Sequence, residues 1–170
     1  MKIKPEIFRE YDIRGVVDKD LNDETVELLG KGIGTYFRRN KRKEVALGRD
    51  CRLSSPRFAK ALVRGLHSTG CEIVDLGTVP TPVLYFAIYD KKIEAGVMIT
   101  GSHNPPEYNG FKIMVGEETL YGKEIQEIFK IIQNNDFIQE KTSLKKVFNV
   151  IPEYKNYLEK NIRLEKRMRF

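Results

Sequence analysis

Ser102 and His103 stand inside the run Thr100-Gly101-Ser102-His103-Asn104-Pro105-Pro106-Glu107-Tyr108-Asn109-Gly110, and Lys112 follows two residues later. These residue types suit nucleophilic or phosphoryl chemistry. A serine hydroxyl attacks poorly until a base, a metal or a positive field assists it. His103 is the adjacent base, and Lys112 is the nearby cation. Gly101 permits a tight backbone at the serine, Pro105-Pro106 stiffens the exit, and Asn104 and Asn109 can bond locally to hold the turn. The competing reading is an ordinary loop in which Ser102 and Asn104 merely satisfy backbone groups. A serine hydrolase is disfavoured, because it wants a separate histidine and a carboxylate. The other histidine, His67, falls within an expected helix and has no visible acidic orienter.

The elements that must position this loop alternate between strand and helix. A helix is expected over 24–39, where Val26, Leu29, Ile33 and Phe37 form an apolar stripe and Asn22 or Asp23 caps the start. Residues 45–47 read as a short buried strand. Ser54-Ser55-Pro56 reads as a serine cap followed by proline at the first helical position, with the helix running to about Thr69 and stopping at Gly70. A strand over 73–76, a proline-rich turn over 77–82, a short helix over 83–89 and an apolar strand over 95–99 follow. The serine loop therefore leaves the carboxyl end of a buried strand, the place where open α/β sheets gather ligands. The alternation implies an α/β fold: a three-layer α/β/α domain with a mixed, mainly parallel sheet. The strand over 110–115 follows its predecessor across a loop and is expected to run antiparallel to it. Two more helices are expected, over 122–134 with Ile125, Ile128, Phe129 and Ile132, and after Pro152 with Tyr154, Tyr157, Leu158 and Ile162.

At 170 residues, 41% hydrophobic and 32% charged, the chain has the size and balance of one soluble globular domain. No apolar run approaches the roughly 20 residues that span a bilayer. Met1-Lys2-Ile3-Lys4-Pro5 has no apolar stretch after its charges, so it does not read as a secretory signal, and a cytoplasmic location is expected. Cys51 and Cys71 are too few for a metal tetrad and read as reduced thiols. The net charge of +6 includes clusters at Arg38, Arg39, Lys41, Arg42, Lys43 and at Lys160, Arg163, Lys166, Arg167, Arg169. The first suits the C-terminal end of a helix, where cations complement the macrodipole. Neither cluster is interleaved with stacking aromatics, so nucleic acid is not an expected partner, and without a spanning apolar run neither is a membrane.

The serine loop and the following Tyr108-Asn109-Gly110-Phe111-Lys112 resemble the phosphoserine loop of the α-D-phosphohexomutase superfamily, especially its bacterial phosphomannomutase/phosphoglucomutase members. The resemblance extends to Phe8-Arg9-Glu10-Tyr11-Asp12-Ile13-Arg14-Gly15, to Gly48-Arg49-Asp50-Cys51-Arg52-Leu53-Ser54-Ser55 and to Gly77-Thr78-Val79-Pro80-Thr81-Pro82. Cys51 stands where relatives often have glycine. The resemblance implies that phosphorylated Ser102 gives its phosphoryl group to a hexose phosphate, making a bisphosphorylated sugar that returns the other phosphate. It implies Arg14 and Lys112 as cations at the moving phosphate, with Tyr11, Arg14, Lys112 and Asn104 facing substrate and His103 as acid–base or loop-shaping residue. The implied cofactors are Mg2+, held by one phosphoryl oxygen on Ser102 and by aspartates of a second domain, and a bisphosphorylated hexose as activating donor.

The same resemblance assigns residues 1–146 to the N-terminal phosphoserine domain. Residues 147–170 become a linker and helix leading into an absent second domain, and residues 163–170 resemble the approach to that domain's first strand. Phe170 is then expected to end a fragment, inactive alone, whose partners are a hexose phosphate and the downstream domains. The alternative is a non-catalytic sugar-phosphate-binding or regulatory module. The sugar preference is not legible, because the residues that read the sugar would lie in an absent domain.

Overall fold

A computed structural model describes residues 3–163. Asn22 accepts a hydrogen bond from the Thr25 amide at 2.9 Å and so caps helix α1 (Asp23–Arg39). The acidic residues Asp23 and Glu24 lie in its first turn and Arg38 and Arg39 in its last, as the helix dipole favours. Helix α2 (Ser55–His67) lies against α1 at a glycine crossing. A Cβ on Gly30 would meet the Leu62 carbonyl oxygen at 2.5 Å, so the two backbones approach only because that side chain is missing. Helices α3 (Thr81–Lys91), α4 (Lys123–Gln133) and α5 (Ile151–Asn161) complete the helical layers.

The strands are β1 (Ile13–Val16), β2 (Glu44–Arg49), β3 (Glu72–Thr78), β4 (Ala95–Ile99), β5 (Tyr108–Val115), β6 (Glu118–Thr119) and β7 (Lys145–Val147). They form one sheet in the order β1-β5-β4-β2-β3-β7, with β6 beside β5. The pairs β4–β2, β2–β3 and β3–β7 are parallel, and β5 runs antiparallel to β4, β1 and β6. Every residue of β4 is buried, as a strand covered on both faces must be. Alternate residues feed two cores. Val45, Leu47 and Val97 pack with Leu29, Phe37, Phe58 and Ile128 beneath α1, α2 and α4, whereas Ala46 and Met98 pack with Leu84, Ile88 and Val150 beneath α3 and α5. The architecture is the expected α/β/α domain with a mixed, mostly parallel sheet.

The expected serine cap of α2 does not form. Ser54 makes no side-chain capping bond, and the Ser55 hydroxyl donates instead to Asp50 at 2.6 Å, because these serines are drawn into the adjoining loop. Strands β1, β6 and β7 escape a reading by periodicity, since they are only four, two and three residues long. Strand β7 straddles positions 146 and 147, and Phe86 of α3 stacks on Tyr154 and Tyr157 of α5 at 5.2 Å. Both cysteines are free, Cys51 exposed and Cys71 buried. The first basic cluster is largely paired: Arg38 with Glu140 at 2.6 Å, Arg39 with Asp136 at 2.8 Å and Lys43 with Glu72 at 2.7 Å. Lys166, Arg167 and Arg169 of the second cluster, and the expected approach to a further strand over 164–170, lie outside the described residues.

Candidate active site

Strand β2 has β4 on one side and β3 on the other. The chain leaves β2 through α2 to reach β3, then returns through α3, on the opposite face, to reach β4. The loops after β2 and β4 therefore part at a topological switch point, and a crevice opens there at the carboxyl ends of the strands. Residues 50–54 form one wall, and the serine loop forms the other.

Arg52 joins the two walls. Its guanidinium donates to the carbonyl oxygens of Asn104 (2.6 Å), Pro105 (2.7 Å), Tyr108 (2.9 Å) and Ser102 (3.3 Å), and its Nε to Asp50 (3.2 Å). A planar, permanently charged fork is the one side chain that can serve so many acceptors at once. Asp50 in turn accepts from the Ser55 hydroxyl (2.6 Å), the Arg52 amide (3.1 Å) and the Gly101 amide (3.2 Å). Burial pushes the Asp50 carboxyl up, but the hydrogen bonds from Ser55, Arg52, Thr100 and Gly101 outweigh it and hold the group below the usual aspartate range. Asp50 stays ionised beside Arg52, so the clamp is charge-balanced.

Gly101 owes its identity to this clamp. Among the residues at positive φ is Ser102 itself, at 53°, and not Gly101. A Cβ on Gly101 would run into the Arg52 guanidinium. The left-handed backbone at Ser102 costs about 1 kcal/mol. It leaves the serine exposed, with its amide donating to the Thr100 hydroxyl at 2.9 Å and its Oγ 3.3 Å from Nδ1 of His103. Asn104 donates its side-chain amide to the Gly101 carbonyl at 3.1 Å. Asn109 is fully buried; its Oδ1 accepts locally from the Gly110 amide at 2.8 Å, while its side-chain nitrogen donates across the crevice to the hydroxyls of Ser54 (2.8 Å) and Ser55 (3.0 Å).

Arg14 and Lys112 converge on a carboxylate that the sequence reading did not single out. Register places Arg14 opposite Gly110, while the Thr100 amide bonds the Gly110 carbonyl at 2.9 Å. Thr100 and Arg14 therefore flank Gly110 in one row, about 10 Å apart across two strand spacings. Asp12 pairs with the guanidinium of Arg14, and its Oδ2 lies 3.9 Å from the Lys112 ammonium. Asp12 is buried, so the two cations are held in place by a shared counter-charge. Among the described residues, no hydrogen bond runs from Arg14 or Lys112 to Ser102 or His103. Tyr11 projects beside them, 66% exposed. Asp12, Asp50, Arg52 and Thr100 stand inside the motifs quoted above, but the sequence reading gave them no place in the site. The available signal was the polar run after β2, a second loop at the carboxyl end of a parallel strand.

The chain is thus an α/β/α domain with an exposed serine at its switch point and Arg14 two strand spacings along the same row as Thr100. The model for phosphoglucomutase/phosphomannomutase, alpha/beta/alpha domain I, matches residues 5–139, and the chain belongs to that family. A phosphomannomutase/phosphoglucomutase of Pseudomonas aeruginosa is 45% identical over 163 residues, covering 96% of this chain and 35% of the relative. A phosphoglucomutase of Neisseria meningitidis is 40% identical over 168 residues, 98% of this chain and 36% of the relative. The crystal structure of a phosphoglucomutase/phosphomannomutase family protein from Burkholderia thailandensis superposes with a TM-score of 0.91 at 35% identity, covering 97% of this chain and 38% of that one. The chain spans little more than a third of the length of the relatives it matches.

Proposed function

We propose that Ser102 carries a phosphoryl group, and that the whole protein moves phosphate between C1 and C6 of a hexose, mannose and/or glucose, through a bisphosphorylated sugar. The observation that carries this reading is the exposed Ser102 hydroxyl on a loop clamped by Arg52 at the β2/β4 crevice. In the first half-reaction the phosphorus–oxygen bond to Ser102 breaks and a bond to a sugar oxygen forms. The sugar hydroxyl gives up its proton and the serine oxygen gains one. The second half-reaction returns the other phosphate of the bisphosphate to Ser102.

Phosphoryl transfer of this kind asks the protein for positioning and charge neutralisation more than for covalent chemistry. The clamp supplies the first, since neither the loop nor its serine can swing without breaking bonds to Arg52. Arg14 and Lys112 supply the second, kept in one orientation by Asp12. Nδ1 of His103 is within reach of the serine oxygen and holds the proton exchanged there. Tyr11 offers an exposed hydroxyl to substrate, and Asn104, its amide nitrogen tied to Gly101, offers its side-chain oxygen.

Magnesium requires several hard oxygen ligands in octahedral geometry. Among the described residues, no group of three His, Cys, Asp or Glu side chains could hold a metal ion, and Asp50 is occupied by the loop. These residues alone do not fit the ion. A phosphoryl oxygen on Ser102 would be one ligand and residues of a further domain the others. In this reading residues 1–146 are the phosphoserine domain, residues 147–170 lead into the next, and the chain by itself does not turn over. The activating donor is a bisphosphorylated hexose.

The test joins this domain to the remaining domains of the family and measures mutase activity together with phosphopeptide mapping. Wild-type protein treated with a hexose 1,6-bisphosphate is phosphorylated at Ser102, and Ser102→Ala abolishes both label and turnover. Undiminished turnover in Ser102→Ala would overturn the assignment.

A further inference from the structure

Away from the serine loop, a cleft of about 330 Å³ lies between α2 and the β3–β7 edge of the sheet. Four cations line it, Arg49 of β2, Lys60 and Arg64 of α2 and Lys145 of β7, against the single carboxylate of Asp75. Lys60 and Arg64 are four residues apart on one helix, so both lie on the same exposed face of α2, at the rim of the cleft. Asp75 is fully engaged: it accepts from Arg49 Nη1, from Lys145 Nζ and from the Gly77 amide, each at 2.9 Å. Two cations on one buried carboxylate leave a net positive charge at the floor of the cleft. Arg64 donates Nε to Glu27 at 2.8 Å, while Lys60 makes no ion pair among the described residues. The Nε of Arg49 is buried without a hydrogen-bond partner. Asp75 and Glu27 supply counter-charges for three of the four cations, and Lys60 has none among the described residues, so the four cations exceed the two carboxylates.

The geometry points to a second anion site, between α2 and β7, that takes a phosphate-class dianion. The charge excess suits a doubly negative group, and guanidinium groups can donate to phosphate oxygens in bidentate geometry. The cavity lies at the small end of ligand-site volumes, which limits the occupant to inorganic phosphate or a small phosphorylated metabolite. Leu47 and Val63 form an apolar wall, which limits water and strengthens the electrostatic attraction. The cleft shares no lining residue with the serine loop, so the site stands or falls independently of the role proposed for Ser102.

The experiment is an amide-resolved NMR titration of the protein with inorganic phosphate at low ionic strength. Expected are saturable shifts in α2 and β7 that are equal in wild type and Ser102→Ala. The surface variant Lys60→Ala/Arg64→Ala weakens binding by about tenfold or more, because two of the four cations are lost, and it still folds, because both residues are exposed. The control variant Lys130→Ala/Lys155→Ala, with exposed cations removed from α4 and α5, binds as wild type does. A hexose 6-phosphate that binds tighter than phosphate would identify the phosphorylated metabolite as occupant, and equal binding would identify the free ion. Shifts that never saturate, that fall outside α2 and β7, or that persist undiminished in Lys60→Ala/Arg64→Ala would overturn the site.

Discussion

The guanidinium of Arg52 donates to the carbonyl oxygen of Asn104 at 2.6 Å, across 52 residues of sequence. Through this bond and its companions, the loop that follows β2 dictates the shape of the loop that follows β4. The buried end of each loop is bridged by Asp50 as well.

Replacing Arg52 with lysine keeps the charge but not the fork. An ammonium has three donors at one point and cannot span the carbonyls of Ser102, Asn104, Pro105 and Tyr108. Arg52→Lys is expected to destabilise the protein by about 2 kcal/mol, from acceptors left partly unmet. Amide hydrogen exchange over residues 101–104 should accelerate more than exchange in α1. Unchanged protection in the loop would show that it holds its shape without the clamp.

The left-handed backbone of Ser102 sets up a second comparison. Glycine adopts this conformation freely, whereas alanine bears the same steric cost as serine without the hydroxyl. Ser102→Gly is expected to be at least as stable as wild type, and about 1 kcal/mol more stable than Ser102→Ala. Urea unfolding of the two variants measures the difference. Equal midpoints would mean that the loop relaxes out of the left-handed region in solution.

Asp50 makes stability depend on acid. Its folded carboxyl titrates below the unfolded value of about 3.9, so the unfolded state binds more protons as pH falls. The contribution is complete above that value and is lost as pH drops through the lower folded one. Asp75, Asp20 and Glu94 are shifted in the same direction, and their losses add. Asp50→Asn should therefore be less stable than wild type at neutral pH and lose less on acidification below about pH 4. Urea midpoints measured against pH separate the two slopes, and parallel slopes would remove Asp50 from the acid response.

The two thiols should differ sharply in reactivity. Cys71 is fully buried, and burial pushes its thiol up to about 11, with the Thr69 hydroxyl opposing only in part. Cys51 is exposed. At mildly alkaline pH a thiol-reactive dye is expected to label Cys51 quickly and Cys71 only after unfolding. Fast labelling of both would require local opening between α1 and α2, where Cys71 sits against the Gly34 carbonyl.

Much of the domain is legible in the chain itself. The stripe from Val26 to Phe37, the unbroken apolar run of β4 and the proline-bounded helices are set by local periodicity and turn chemistry, so the α/β/α layering follows from the sequence. The serine loop is equally visible, because glycine, serine, asparagine and paired prolines crowd together directly after a buried strand. What no local pattern contains is the pairing of distant segments. Only the folded chain brings Arg52 onto the carbonyls of the serine loop and sets Asp12 between Arg14 and Lys112. Gly101 is the sharpest case: its composition reads as backbone freedom, but the structure uses its missing side chain as space for Arg52. The reason is physical. Periodicity reports which face of an element is buried, whereas the identity of a charged side chain's partner depends on strand order and loop crossing, which are settled only when the sheet assembles.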